Sequence, residues 1–126
     1  MIENIFGPIK EVCDKYNIDV LVVGYFAKTI LFNLENHKHI EIIISADTRK
    51  LYKDFIESGL LINNEIENNS NIYKIQSGDI EVTFMYVPDV FSFVVDSQFF
   101  DDYAYYNVRT KTIGIFQNKY YESYNI

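Results

Sequence analysis

Ionisable side chains gather at one point early in the chain, where the run VLVVGYFAKTILFNLENHKHIEIII (residues 20–44) opens its second apolar stretch. His37, Lys38, His39 and Glu41 stand together there. Imidazole suits borderline ions such as zinc or manganese, so His37, His39 and Glu41 form a partial ligand set. No complete set is visible, and at most weak binding is expected. The plain alternative is a solvated histidine pair at a loop-to-strand junction. Lys28, soon after Gly24, could approach a phosphate, against the default of an exposed helical lysine. Arg49, Lys50 and Lys53 cluster where a later helix begins. They could face a triphosphate or an acidic partner, against the default of a solvated face. Asp96, Asp101 and Asp102 alternate with other residues as calcium ligands do, but the glycine and terminal glutamate of a calcium loop are missing, so a polar loop is expected. Cys13 falls on the apolar side of a helical pattern and reads as a buried structural thiol. As the single cysteine, it excludes an intrachain disulfide.

These groups have to be positioned by the elements around them. Ile2, Ile5, Phe6, Ile9, Val12, Cys13 and Tyr16 recur at helical spacing, with a helix start expected at or just before Pro8. Residues 18–23 are a short apolar run ending at Gly24, a buried strand. Residues 25–35 read as a helix, and 40–44 as a strand rich in isoleucine. Asp47 caps a helix that runs to about Ser58, closed by Gly59. The period then changes to two: strands at 60–67 and 72–77, joined by an Asn-rich turn, are followed by a strand at 80–87 that Pro88 ends. Residues 90–100 read as a helix. Residues 105–109 and 112–116 read as a closing pair of strands, and 119–126 as a tail that folds back or frays.

The order helix, strand, helix, strand, helix and then three strands resembles the minimal nucleotidyltransferase fold, the polymerase beta-like superfamily. That family carries Gly-Ser or Gly-Gly after its first core strand, an Asp-x-Asp or Asp-x-Glu pair on the next, and a third carboxylate on a later strand. In this chain Gly24-Tyr25 takes the first place. His39-x-Glu41 takes the second, with 13 residues between Tyr25 and His39. Glu81 takes the third. The segments 55–60 and 112–116 resemble the family's helix end and its late short strand. The resemblance covers residues 20–115 and implies an α/β (α+β) fold: a mixed sheet of about five strands with helices mainly on one face. It implies Gly24, Tyr25 and Lys28 as nucleotide-binding positions and Glu41 and Glu81 as catalytic ones. His39, Glu41 and Glu81 would hold magnesium if the site is catalytic. Such carboxylates hold two magnesium ions that bind a triphosphate and activate a hydroxyl. The pattern is broken at two positions. Tyr25 denies a phosphate the close approach that Ser or Gly permits, and His39 offers nitrogen where magnesium prefers oxygen. Glu41 and Glu81 also alternate with apolar residues, as side chains on a solvated sheet face would.

Size and charge narrow the partners. The 126 residues are expected to form a single domain, and a 48% hydrophobic content fills one core. The net charge of −7 disfavours non-specific nucleic-acid binding but leaves a defined nucleotide or a protein partner open. No basic-then-apolar leader and no membrane-length apolar run are visible, so an intracellular, cytoplasmic protein is expected. Aromatic residues make up 17% of the chain, and many fall in its final third. Phe91, Phe93, Phe99, Phe100, Tyr103, Tyr105, Tyr106, Phe116, Tyr120, Tyr121 and Tyr124 predict a homodimer through this segment; the alternative is that the rings complete the core. The leading expectation is a non-catalytic nucleotidyltransferase-like binding or regulatory module with no cofactor. The alternatives are a divergent metal-dependent nucleotidyltransferase using Glu41, Glu81 and His39, and a small structural protein that self-associates.

Overall fold

A computed structural model describes residues 3–24, 27, 38–96, 104–117 and 120–125. Helix α1 spans Glu3–Tyr16 and buries Ile5, Phe6, Ile9, Val12 and Cys13 along one side. It begins upstream of the start expected at Pro8. Burial of Ile5 and Phe6 offsets the backbone hydrogen bond that proline removes. The helix ends at Asn17, which adopts φ 54°, with the Ile18 amide donating to the Cys13 carbonyl at 2.8 Å. Strand β1 (Val20–Val23) has all four residues buried. Strand β2 is His39–Ile44. A 3-10 turn at Thr48–Leu51, capped by the Asp47 side chain as expected, leads into helix α2 (Tyr52–Glu57). Gly59 at φ 101° closes α2, and Leu60 donates back to the Phe55 carbonyl at 2.9 Å, a Schellman-type ending that buries Leu60. That use of Leu60 is why strand β3 covers Asn64–Asn68 rather than starting at residue 60.

Strand β4 (Ile72–Ser77) and strand β5 (Ile80–Tyr86) form a tight hairpin around Gly78 at φ 61°. Helix α3 follows at Val90–Asp96. Strands β6 (Ala104–Asn107), β7 (Thr112–Gln117) and β8 (Tyr120–Asn125) complete one sheet in the order β3-β4-β5-β2-β1-β6-β7-β8. The sheet is mixed: β2 and β5 are parallel and the other neighbours antiparallel. Eight strands replace the five expected, because β6, β7 and β8 extend the sheet beyond β1 instead of closing it, and the segment expected to fold back or fray is β8.

Strand alternation divides the sheet's side chains between two faces. One face carries Val20, Val22, Ile40, Ile42, Ile44, Ile75, Val82 and Phe84 against α1 and α2, with Ala27 fully buried in the same cluster. Phe55 of α2 stacks on Phe84 at a ring distance of 5.7 Å. The opposite face has a smaller apolar patch of Leu21, Val23 and Ile43 packed with Val87 and with Val90 of α3. Toward β4 and the starts of β2 and β5 that second face turns polar, with His39, Glu41, Lys74, Gln76, Glu81 and Thr83. Among the described residues, no helix is long and apolar enough to cross a membrane.

Candidate functional site

The polar part of the second face is set by the start of β2. His39 and Glu41 project on the side opposite Ile40 and Ile42, and both are exposed. Register fixes what they meet. In the parallel pairing of β2 with β5, His39 lies opposite Glu81 and Glu41 opposite Thr83. On its other side Glu41 lies opposite Val23, the last residue of β1. The next residue is Gly24, at φ 75°. A Cβ placed on Gly24 would stand 2.6 Å from Oε2 of Glu41. The glycine thus serves two local needs, a left-handed backbone and room for a carboxylate.

Glu41 and Glu81 therefore share one sheet face beside Gly24, as the resemblance requires. They are held differently. Nδ1 of His39 lies 2.5 Å from Oε2 of Glu81, and Nζ of Lys74 lies 3.8 Å from Oε1. The Glu81 side chain is 20% exposed, against 62% for His39. The Glu81 amide donates to the Lys38 carbonyl at 2.8 Å, which pins the start of β5 to the start of β2. Lys74 also reaches Glu67 at 3.9 Å.

Among the described residues no three His, Cys, Asp or Glu side chains are grouped so as to hold a metal ion. An imidazole nitrogen, one open carboxylate and a second carboxylate already engaged by His39 and Lys74 fit a pair of magnesium ions poorly, since magnesium demands near-octahedral oxygen coordination. Tyr25, Lys28 and His37 lie outside the described residues. Lys74 was not among the residues singled out from sequence, although a signal for it exists. The two-residue turn at Gly78-Asp79 places Gln76 opposite Glu81 and Lys74 opposite Thr83, on the face of the acids.

Two further candidates, Arg49 and Cys13, resolve as structure. Arg49 does not lie free on a helix face. Its guanidinium donates to both Asp47 carboxylate oxygens at 2.9 Å, to the Ser70 carbonyl at 2.9 Å and to the Asn69 carbonyl at 3.2 Å. This pairing holds the Asp47 carboxyl below its ordinary range. Burial pushes the Cys13 thiol up to about 12, as an inert core thiol should behave. Asp101 and Asp102 lie outside the described residues. Of the aromatic residues expected at a dimer interface, Tyr105 and Tyr106 are each 7% exposed and belong to the two apolar clusters. Tyr106 packs against Phe6 of α1 at a ring distance of 5.3 Å on one face of β6, and Tyr105 joins the Leu21 and Val23 cluster on the other. Phe91 is 43% exposed and Phe93 half-buried. The side chains of the others are outside the described residues.

No protein-family model matches the sequence, and no curated protein matches it significantly. Solved structures do. The chain superposes on the apo form of a CCA-adding enzyme over 87% of its length, with a TM-score of 0.64 and 18% identity. A CCA-adding enzyme in complex with CTP matches over 94% at a TM-score of 0.59 and 17% identity, and one with ATP over 68% at 0.52 and 20%. The chain spans only 28%, 27% and 20% of those three proteins, in the order apo, CTP and ATP. CCA-adding enzymes belong to the nucleotidyltransferase superfamily, and the α+β fold described above is nucleotidyltransferase-like.

Proposed function

We propose that this nucleotidyltransferase-like chain is a binding or regulatory module that does not itself transfer nucleotides. The observation that carries the reading is the state of Glu81, the counterpart of the family's third carboxylate. Both of its oxygens are engaged by the protein itself, Oε2 by Nδ1 of His39 at 2.5 Å and Oε1 by the Lys74 ammonium at 3.8 Å. A carboxylate with both oxygens engaged from within the protein has little to offer a second metal. His39 supports the same reading, because it puts nitrogen where the family has aspartate. Fold alone does not fix function, so the argument rests on these side chains. The ligand class is a nucleotide, by analogy with the complexes of the structural neighbours with ATP and CTP. Its place is the Gly24 end of β1.

A second reading is a divergent metal-dependent nucleotidyltransferase using Glu41, Glu81 and His39. It is favoured by one observation: these three side chains share a sheet face next to Gly24. Labelled nucleoside triphosphates with magnesium or manganese separate the two. No labelling of RNA or protein is expected, while calorimetry detects nucleotide binding that Gly24→Val removes. Metal-dependent labelling abolished by Glu41→Gln would establish the second reading instead.

A further inference from the structure

A groove of about 420 Å³ lies between the 3-10 turn with α2 and the β3–β4 hairpin. It opens on the face covered by α1 and α2, because buried Tyr73 lines it and packs in that cluster. Gly24, Glu41 and Glu81 belong to the opposite face, so the groove is separate from the site already described.

Its lining sorts into groups with partners and groups without. Glu65 accepts from the Tyr73 hydroxyl at 2.9 Å and from the Asn68 amide at 3.4 Å. Asp54 accepts from the Tyr16 hydroxyl at 2.8 Å and lies 3.8 Å from Lys15. Arg49 is spent on Asp47 and on the carbonyls of the β3–β4 turn. Lys50 and Lys53 line the same groove and are exposed, and neither ammonium group makes a direct hydrogen bond or ion pair with a described residue; Lys50 meets only the longer-range field of Asp47, which Arg49 already holds. The acids of the groove are therefore satisfied and two ammonium groups are not, in a chain whose net charge is −7. Beside the two lysines stands the ring of Tyr52, 39% exposed.

We propose that this groove is a second ligand site, taking a phosphate ester that carries a planar ring. Lys50 and Lys53 supply donors and charge to the phosphate, and Tyr52 supplies a stacking surface to the ring. A nucleotide, free or within a single strand, is the class that joins these two chemistries. Purely ionic surface pairs are weak, so the ring is what separates this ligand from inorganic phosphate.

The test is amide chemical-shift titration of the full chain in EDTA, with adenosine monophosphate, ribose 5-phosphate, adenosine and a short single-stranded RNA. Adenosine monophosphate is expected to shift amides at residues 49–54 and 68–70 and to bind more tightly than ribose 5-phosphate, with adenosine weakest. The double variant Lys50→Gln, Lys53→Gln should weaken it about tenfold or more, and Tyr52→Leu should reduce it to the level of ribose 5-phosphate. RNA binding more than about tenfold tighter than the mononucleotide identifies a strand as the source of the ligand; comparable affinity identifies the free nucleotide. Shifts confined to Gly24 and Glu41 would overturn the second site while leaving the proposed function standing. Shifts at residues 49–54 that persist unchanged in the double lysine variant would overturn it too.

Discussion

At Gly24 two demands fall on one backbone position. Its φ of 75° is costly for any residue with a side chain, and the space a side chain would need is filled by the Glu41 carboxylate. Gly24→Ala should therefore destabilise the chain by about 1–3 kcal/mol in urea unfolding. Adding Glu41→Ala should recover the steric part and leave the backbone part, so the double-mutant cycle should show favourable coupling. Additive losses would mean that the glycine and the carboxylate do not meet. Cys13 makes a prediction of another kind. Its thiol is raised to about 12 by burial, so the folded chain keeps a proton that the unfolded chain releases near its ordinary value. Stability from this group is complete below about pH 8.5 and is lost as pH rises toward the folded value. Urea midpoints at pH 8 and pH 10.5 should diverge by about 2 kcal/mol more in the native chain than in Cys13→Ala. Tyr73 and Tyr106 are also raised by burial and act in the same direction, and the difference between the two chains cancels them.

Between elements, Arg49 has the widest reach of the described side chains near α2. It ties the Asp47 cap to carbonyls at Asn69 and Ser70, so the start of a helix and the tip of a hairpin share one guanidinium. Arg49→Ala should cost about 1–2 kcal/mol and speed amide exchange at Asn69, which closes the turn onto Ile72. Unchanged exchange there would show that the turn stands on its own. Much of this level was legible in the sequence. Asp47 and Gly59 announced the ends of their helical segment through capping chemistry, and the alternation at 80–86 gave the correct buried face. Register was not legible. That His39 meets Glu81 depends on a parallel pairing across two intervening helical segments and a hairpin, and a period of two tells which face a side chain takes but not which neighbour it finds. That Tyr105 and Tyr106 belong to the core was open in the sequence for a related reason. Adjacent residues on a strand point to opposite faces, and only the packing of the two apolar clusters shows that β6 is covered on both.

For the whole molecule, β1 is decisive. Four apolar residues, all buried, lie between β2 and β6 near the middle of the sheet. Arg109 reinforces the join: its guanidinium donates to Asp14 at 2.8 Å, to the Asn17 side chain at 3.2 Å and to the Ile18 carbonyl at 3.3 Å. Deleting residues 104–126 would turn β1 into a bare apolar edge, the arrangement that proteins avoid because it recruits other chains. The shortened chain should be recovered in aggregates or with a collapsed unfolding transition. A soluble, cooperatively melting product would show that β6, β7 and β8 are an appendage.

The same central strand sets a schedule for the growing polypeptide. β1 leaves the ribosome before either of its neighbours, and its pairing with β2 follows within a few tens of residues. Its other neighbour, at Tyr106 and Asn107, is translated about 80 residues later. At ordinary elongation speeds of about 5–20 residues per second, one side of the most apolar strand stays open for roughly 4–16 seconds. Any chaperone acting on this chain during synthesis would meet that open side, and its release would be timed by the arrival of β6.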